Sequence, residues 1–402
     1  MIDYRETEEY KMVQLGVSVY PDLSPIEEIE AYLKLASQYG FTRVFSSMFS
    51  VEDTNENIIK YFKEFIDIAH RYGIQVSLDV NPMFLKKLGV TPDDISLFHE
   101  IGCDIIRMDM SYGLEGDLQL LKNPYGIAIE FNASVGLDLE SLLANGVDKE
   151  RILTCHNFYP QRYTAVKWQD FLNINEHIAK YGIRIGAFIS SHAPNTHGVW
   201  DAKYGLPTCE IHRDMPIDLQ LRHILATKNV TDILIGNAYA TEEEFKAIRK
   251  VLDIPPANFD DNPIMQMIAK MKPNFGKSQI VLKVDLDEGI TDLEKEILMT
   301  YSPHFDIGDS SEWIIRSRFP RTKYSKDGVP VRPCAKDHFT KGDILIVNNN
   351  YQHYSGEVQI ALMDMENDGQ RNLVGSLDKN EQRLLDFITS EDIMVFVDKN
   401  SD

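Results

Sequence analysis

The sequence has few cysteines and no segment that resembles a membrane anchor or a secretion signal. Its four cysteines, Cys103, Cys155, Cys209 and Cys334, are scattered over 402 residues without the Cys-x-x-Cys spacing typical of a zinc site. The charged amino terminus has no signal-peptide pattern, and no apolar run approaches the ~20 residues of a membrane-spanning helix. We therefore expect buried thiols, no disulfide framework and a cytoplasmic location.

The sequence also lacks an excess of positive charge. It has 41 Lys and Arg against 62 Asp and Glu, which gives a net charge of −21. Nucleic-acid binding needs a basic face and anionic membranes attract basic segments, so we expect neither kind of partner. An anionic small substrate would have to be held by local positive groups against this field. Each Arg or His near a strand end is therefore a candidate for substrate binding.

The first two thirds of the chain alternate strand-like and helix-like segments. Glycine ends five helical segments just before the next apolar run, as at Gly73 before IQVSLDV, because glycine readily adopts the left-handed conformation. Eight such units in ~250 residues predict a (β/α)8 barrel of the TIM type. A doubly wound open sheet is the main alternative, but no Gly-x-Gly-x-x-Gly turn follows the first strand. The predicted strands are 13–19, 43–47, 75–80, 104–109, 127–131, 152–156, 184–189 and 232–235.

A change of pattern after residue 252 predicts a second domain. The segment DIPPANFDDNP is dense in Pro and Asp, as domain boundaries often are. Beyond it, short strand-like runs alternate with turn-rich stretches such as SKDG and NDGQ. We assign residues 1–253 to the barrel, 254–265 to a linker, and 266–402 to a smaller, mainly β domain.

Polar residues follow most of the predicted strands, at the ends that converge on one mouth of a TIM barrel. Hydroxyls, amides and aromatic rings dominate the set. Such a mixture suits a sugar, whose hydroxyl groups need directional partners and whose apolar face stacks on rings. In chain order the set is Ser18, Tyr20, Ser46, Phe49, Asp79, Asn81, Arg107, Asp109, Glu130, Asn132, His156, Asn157, Tyr159, Ser190, Ser191, His192 and Asn237.

Three carboxylates stand at the ends of consecutive strands: Asp79, Asp109 and Glu130, the last within GIAIEFNAS. A glycosidase needs one carboxyl group as acid and another as nucleophile or base, ~5 Å apart for retention or ~6.5–9.5 Å for inversion. Neighbouring strands lie ~4.8 Å apart, so side chains on them can meet either condition. The sequence does not choose between the two outcomes. An ion pair of Asp109 with Arg107 is the purely structural alternative.

The same residues allow two other interpretations. Asp79, Glu130, His156 and His192 could hold a divalent ion, as in a metal-dependent sugar-phosphate isomerase or epimerase. We expect no metal and no other cofactor, because the interleaved Asn, Tyr and Ser side chains exceed what a metal site needs. A carbohydrate-binding protein without catalytic activity is the third interpretation.

The segment after the seventh strand is long and rich in charged residues. It reads SSHAPNTHGVWDAKYGLPTCEIHRD and contains His192, Glu210 and Arg213. Loops after strands seven and eight of a barrel often bind phosphate, and Arg213 with a histidine would clamp a phosphoryl group through charge-assisted hydrogen bonds. A solvated surface loop is the alternative.

Several motifs together resemble those of one bacterial family. They are the YP after the first strand, DVNP, RMDM, IEFNAS, CHNFYP, GLPTCEIHR and, near the end, YSGEVQIAL. They are similar to motifs of the 6-phospho-N-acetylmuramidase family, in which a barrel is joined to a cyclophilin-like β domain. The resemblance covers nearly the whole chain.

The resemblance implies a cytoplasmic glycosidase that acts in the recycling of cell-wall fragments. Its substrate would be the disaccharide of N-acetylmuramic acid 6-phosphate and N-acetylglucosamine. Glu130 and one of Asp79 or Asp109 would form the working pair. A cationic patch would receive the phosphate and the lactyl carboxylate, and Arg316 of the second domain is a candidate member.

The chain departs from the family's pattern at two places. Gly198-Val199-Trp200-Asp201 replaces an expected RGPL-like run, and Gly236-Asn237 stands where an acidic residue is expected. These departures leave the exact phosphosugar open. The sequence also leaves open whether the protein is a monomer or a homodimer.

Overall fold

The computed structural model describes residues 13–48, 51, 53–259 and 263–401. Phe49 and the linker residues 260–262 lie outside the described residues. Two units are distinguished. Unit 1 contains the described residues up to Leu221 together with Asn229–Leu252, and unit 2 contains Arg222–Lys228 and the described residues from Asp253 onward.

Eight parallel strands of unit 1 close into a barrel in sequence order, which confirms the predicted fold class. Each strand begins and ends within two residues of the run predicted for it. Their bounds are β1 Gln14–Val19, β2 Phe41–Ser47, β3 Gln75–Val80, β4 Ile105–Met108, β5 Ala128–Asn132, β6 Ile152–Cys155, β7 Arg184–Ile189 and β8 Asp232–Ile235.

Helices follow the strands. All five glycines predicted to end them have positive φ, from 70° at Gly73 to 85° at Gly102. None of the described helices is long and apolar enough to cross a membrane. The helices are α1 Ile26–Gln38, α2 Asn55–Arg71, α3 Pro82–Leu88, α4 Ser96–Ile101, α5 Leu114–Leu121, α6 Leu139–Ala144, α7 Trp168–Ala179, α8 Ile217–Leu225 and α9 Glu242–Leu252, with 3-10 turns at Lys149–Arg151 and Glu210–His212.

Unit 2 is built on a mixed sheet of six strands, in the order β10-β13-β12-β15-β9-β16, beside a two-stranded sheet of β11 and β14. Strand β16 runs parallel to β9, whereas the other pairs are antiparallel. This confirms a smaller, mainly β domain. Its strands are β9 Ser278–Leu286, β10 Ile314–Ser317, β11 His338–Phe339, β12 Asp343–Val347, β13 Val358–Ala361, β14 Met365–Glu366, β15 Arg371–Ser376 and β16 Asp392–Asp398. Its helices are α10 Pro263–Met271, α11 Asp292–Lys295 and α12 Pro320–Tyr324, with a π-helical turn at Glu296–Thr300 and 3-10 turns at Asn349–Tyr354 and Glu381–Phe387.

The loop after β7 enters the carboxyl-terminal end of the barrel. Its Ala202 and Leu206 belong to one buried cluster with Tyr20, Phe45 and Phe188, which lie on or just after β1, β2 and β7. Because apolar side chains in this loop contact apolar side chains of the strands, the loop closes part of the barrel mouth and is fixed there by burial.

We predict that Gly236→Ala destabilises unit 1. A Cβ at this position, directly after β8, would lie 2.5 Å from the carbonyl oxygen of Leu206 and 3.1 Å from its Cβ. Overpacking of this kind costs about 1–3 kcal/mol, which should appear as a lower midpoint in urea denaturation. Gly136→Ala is the matched control, since nothing lies within 4 Å of a Cβ built there. Equal midpoints for the two variants would contradict the placement of Leu206.

Candidate active site

Arg107 joins two of the three predicted carboxylates at the carboxyl-terminal end of the barrel. It lies on β4, in register with Asp79 on β3 and Glu130 on β5. Its Nη1 is 2.5 Å from Asp79 Oδ1 and 3.6 Å from Asp109 Oδ1. These two carboxylate oxygens are therefore at most about 6 Å apart, close to the ~5 Å of a retaining glycosidase pair.

The barrel shields the carboxyl group of Asp79 from water more than that of Asp109. The Asp79 side chain is 9% exposed, whereas that of Asp109 is 34% exposed. Burial raises the pKa of Asp79 to about 6; Arg107 opposes this increase, and the charges of Asp109 and Glu130 add to it. A carboxyl group whose pKa lies this close to neutrality can donate a proton and later accept one.

Residues from other strands hold Arg107 in place. Its Nη2 donates to Oδ1 of Asn157, which follows β6, and its guanidinium lies 5.9 Å from the centre of the Phe45 ring. Asn157 is fixed in turn, because its backbone N–H donates to Ser134 Oγ at 3.1 Å and its carbonyl accepts from Thr208 Oγ1 at 2.9 Å. The loops after β5, β6 and β7 therefore orient the guanidinium that contacts both carboxylates.

Two amides predicted at the mouth also bind the backbone. Asn132 Oδ1 accepts from the N–H of Ser134 at 2.9 Å, and its Nδ2 lies 3.4 Å from the carbonyl oxygen of Asp109. Asn81 caps α3 by accepting from the N–H of Phe84 at 2.8 Å. Asn132 thus fixes the backbone next to Asp109, and Asn81 fixes the backbone that follows Asp79.

Ser18 and Tyr20 lie beneath the loop that closes part of the mouth. Both are fully buried, and the Tyr20 hydroxyl donates to the carbonyl of Gly236. A substrate has no access to either side chain in this structure. Their contact with substrate stays a prediction, and the sequence does not show that the loop after β7 folds inward.

Glu130 lies deeper in the barrel than the sequence predicts. Its side chain has no exposed surface, and its Oε2 accepts from Nη2 of Arg43 on β2. Nη1 of Arg43 is 3.5 Å from Oδ1 of Asp232, the first residue of β8, so this ion pair faces the amino-terminal ends of the strands. A nucleophile must touch the reacting carbon of the sugar. In this structure the Glu130 carboxylate is fully buried and paired with Arg43, so its place in the working pair stays a prediction, and Asp79 and Asp109 are the carboxylates that contact Arg107 at the mouth.

His156 packs between β6 and α7 instead of facing the mouth. Its Nε2 is 2.8 Å from Asn175 Oδ1, and its ring centre is 4.8 Å from that of Phe171. Burial lowers the pKa of His156 to about 4, so the imidazole is neutral at pH 7. Its Nδ1 lies 3.1 Å from Ser134 Oγ, the group that binds Asn157. The predicted substrate ligand is therefore a support for a neighbouring loop.

Arg213 anchors loops and does not present a free guanidinium. Its Nε and Nη2 donate to Glu210 at 2.7 Å each, Nη1 donates to the carbonyls of Tyr159 and Tyr204 at 3.0 and 3.1 Å, and Nη2 donates to that of Gln161 at 3.1 Å. All five N–H groups are engaged, so none is available to a phosphoryl group. The predicted clamp of Arg213 and Glu210 instead ties the loop after β7 to the loop after β6, with Tyr159 contributing its carbonyl.

His192 and Arg316 are also predicted to bind substrate, and the structure places them in different units. His192 is exposed, and its Nε2 lies 2.9 Å from the carbonyl oxygen of Arg213. Arg316 belongs to unit 2, where it pairs with Glu357 at 2.7 Å and Asp309 at 3.3 Å. A contact of Arg316 with substrate stays a prediction.

Arg43 is an important residue that the sequence does not single out. The signal that could have found it is a charged residue within the strand-like run FTRVF. Side chains of a strand point alternately to its two faces, and Arg43 is on the face that points away from the helices. In the part of the chain that the structure describes, no cluster of three or more His, Cys, Asp or Glu side chains is arranged to hold a metal ion.

Comparison with known proteins identifies two family models along the chain. The model described as 6-phospho-N-acetylmuramidase, N-terminal, matches residues 15–250, and the model described as 6-phospho-N-acetylmuramidase, C-terminal, matches residues 280–397. No curated protein matches the chain.

Two solved structures are similar over almost their whole lengths. An uncharacterized B. cereus protein is 34% identical, with a TM-score of 0.81 over 96% of this chain and 100% of that one. A conserved Enterococcus faecalis protein of unknown function is 21% identical, with a TM-score of 0.64 over 96% and 97% of the two chains, and shows the fold alone.

We predict that Glu130→Gln costs about 3 kcal/mol of unfolding free energy, because it removes the charge that compensates the buried guanidinium of Arg43. Urea denaturation measures this cost. Glu30→Gln is the matched control: Glu30 pairs with Arg71 at 3.1 Å on the outside of the barrel, where loss of an exposed pair should cost less than about 1 kcal/mol. Equal losses in the two variants would show that the Glu130 pair is not buried as described.

Proposed function

We propose a mechanism from the premise that this chain belongs to the 6-phospho-N-acetylmuramidase family and is a glycoside hydrolase. Asp79 and Asp109 carry out the chemistry, on the disaccharide of N-acetylmuramic acid 6-phosphate and N-acetylglucosamine. The observation that supports this pair is the shared contact with Arg107 at the barrel mouth. We place the reaction in the recycling of cell-wall fragments in the cytoplasm, as the resemblance implies.

Asp79 is the general acid in this proposal. Burial raises its pKa to about 6, so about half of the molecules carry the proton at pH 6 and about one in ten at pH 7. That proton passes to the glycosidic oxygen as the bond to N-acetylglucosamine breaks. Arg107 contacts Oδ1 of Asp79, so in this proposal Oδ2 is the oxygen that delivers the proton.

Asp109 is the nucleophile. It is the more exposed carboxylate of the pair, and the two oxygens that approach Arg107 are at most about 6 Å apart, which is close to the ~5 Å of a retaining pair. Attack on the anomeric carbon gives a glycosyl-enzyme ester. Asp79, now ionised, takes a proton from the water that hydrolyses this ester, so the configuration is retained.

An exposed aromatic ring beside the mouth supports a sugar substrate. Trp200 is 56% exposed, and its ring centre lies 6.5 Å from that of Phe158. Phe158 packs edge-on against Phe45 and Phe188 of the barrel, at 5.7 and 5.0 Å. An indole held in this way offers the flat apolar surface on which a sugar ring stacks.

The test is release of N-acetylglucosamine from the disaccharide phosphate, with and without a chelator. We expect chelator-resistant release, with Asp79→Asn and Asp109→Asn lowering kcat about 10²–10⁴-fold, because an amide can act neither as acid nor as nucleophile. In Glu130→Gln, kcat per folded molecule should stay within tenfold of the wild type. Asp104→Asn is the matched control, since this carboxylate precedes β4 at the opposite end of the strand, paired with His70 at 2.9 Å.

Two outcomes of that test would reject the assignment. Near-normal turnover in Asp79→Asn would remove Asp79 from the mechanism. Loss of release in the chelator would favour the metal-dependent alternative.

We also predict that kcat/KM falls as the pH rises above about 6. The acid form of Asp79 is the active one, and its fraction decreases as the pH passes through its pKa of about 6. Because kcat/KM reports the free enzyme, its profile should show this group directly. The residual activity of Asp79→Asn should lack this decrease. A wild-type profile that stays flat between about pH 5 and 8 would contradict the role of Asp79.

A further inference from the structure

A small cleft at the carboxyl-terminal face of the barrel concentrates positive charge in a chain whose net charge is −21. It lies between the loop after β6 and the loop after β7 and has a volume of about 260 Å³. Its charged and aromatic lining consists of Arg162, His192, Lys203, Tyr204, Arg213 and Asp214. Three of these side chains are permanent cations, whereas Asp214 is the single carboxylate among them.

Arg162 and Lys203 lie against the same tyrosine. The guanidinium of Arg162 is 4.9 Å from the ring centre of Tyr204, and Lys203 Nζ is 4.7 Å from it. Lys203 is exposed, and no described carboxylate lies within ion-pair distance of its amine. Both cations therefore lie within about 10 Å of each other at the cleft, and a contact with a ring face does not use up their N–H groups.

The ion pair between Arg162 and Asp214 at the cleft is exposed to solvent. Arg162 donates to both carboxylate oxygens of Asp214, at 2.7 and 2.8 Å, but the Asp214 side chain is 72% exposed. Exposed ion pairs in general contribute about 0–1 kcal/mol, although bidentate pairs are the stronger ones, and a phosphate dianion carries more charge than a carboxylate. A phosphoryl group can therefore take the place of Asp214 on Arg162.

The cleft floor is rigid and supplies a fixed positive charge. Arg213 lies there with every N–H engaged by Glu210 and by backbone carbonyls. His192 turns its Nε2 toward the carbonyl of Arg213, and since a carbonyl only accepts, this nitrogen carries the proton. These residues shape the cleft, and the ligands that remain for an anion are Arg162 and Lys203.

We propose that this cleft holds the 6-phosphate of the substrate, with Arg162 and Lys203 as its cationic ligands. The inference rests on the proposed function. A volume of about 260 Å³ is below the ~300–1,000 Å³ of sites that hold whole small molecules, so the cleft suits one substituent of a sugar. Both residues lie in loops, outside the strands that carry the carboxylate pair.

A short segment of chain connects the cleft to that pair. Asn157 accepts from Arg107, which contacts both carboxylates, and the carbonyl of Tyr159, two residues later, accepts from Arg213 at the cleft floor. The loop after β6 thus links the carboxylate pair to the cleft, and in this proposal a sugar with its anomeric carbon at Asp109 directs its phosphate along that loop.

The test compares the phosphorylated disaccharide with its unphosphorylated analogue. In Arg162→Met and in Lys203→Met, kcat/KM for the phosphorylated substrate should fall at least tenfold, whereas kcat/KM for the analogue should change less than twofold. The matched controls are Arg71→Met and Lys180→Met, which remove exposed, paired cations of the same types elsewhere on unit 1. Changes in the two cleft variants no larger than in these controls would overturn the proposal.

Binding measured without turnover separates this proposal from the proposed function. Calorimetry with N-acetylmuramic acid 6-phosphate, and with N-acetylmuramic acid as the unphosphorylated probe, should show a preference for the phosphate that Arg162→Met and Lys203→Met abolish. If the wild type hydrolyses neither disaccharide but shows this preference, the cleft assignment holds and the hydrolase mechanism fails. If the wild type binds both probes equally, the cleft assignment fails, whatever its activity.

Discussion

A guanidinium buried at the mouth of the barrel, that of Arg107, is the interaction on which the candidate site depends. A buried cation is tolerated only when its charge is compensated and its N–H groups are paired. Asp79 and Asp109 compensate the charge, and Asn157 accepts from Nη2. Because these partners come from three different strands or the loops after them, one side chain brings together the two carboxylates of the mechanism. The same contact keeps Asp79 partly ionisable despite its burial, since Arg107 opposes the rise in pKa that burial causes.

The barrel interior contains a second charged group, which adjoins the first because Glu130 on β5 is in register with Arg107 on β4. Arg43, Glu130 and Asp232 form it toward the amino-terminal ends of the strands. Phe45 and Cys155, members of the apolar cluster at the mouth, are buried in the same barrel, and burial raises the pKa of the Cys155 thiol far above its usual value. The Glu130 side chain has no exposed surface, and its charge adds to the pKa of Asp79. Glu130 thus acts on the proposed acid through the field and not by contact with the sugar.

Much of the fold follows from patterns that local sequence determines. Apolar runs and glycine stops predict all eight strands, and the convergence of strand ends places Asp79, Arg107 and Asp109 together. What the sequence cannot show is the direction and depth of a side chain near a strand end. His156 follows the inward-facing Cys155 and therefore points to α7, and Glu130 lies two residues before the end of β5 and is covered. The role of Arg213 is equally hidden, because it depends on carbonyl groups that only folding brings together.

The loop after β7 carries the residues proposed to select the sugar, whereas other elements carry the residues proposed for the chemistry. Leu206 closes part of the mouth, Arg213 fixes the loop to the neighbouring one, and Tyr204 and Lys203 lie in the cleft assigned to the phosphate. The carboxylate pair, in contrast, is held by strands β3 and β4, whose geometry the closed barrel determines. Substitutions in the loop can therefore alter which sugar fits without moving Asp79 or Asp109. The departure from the family's pattern at Gly198-Val199-Trp200-Asp201 falls in this loop, and it includes the exposed indole proposed to stack on the sugar. A difference in preferred phosphosugar between this chain and its relatives would then arise from Trp200 and its neighbours, while the acid and the nucleophile stay the same.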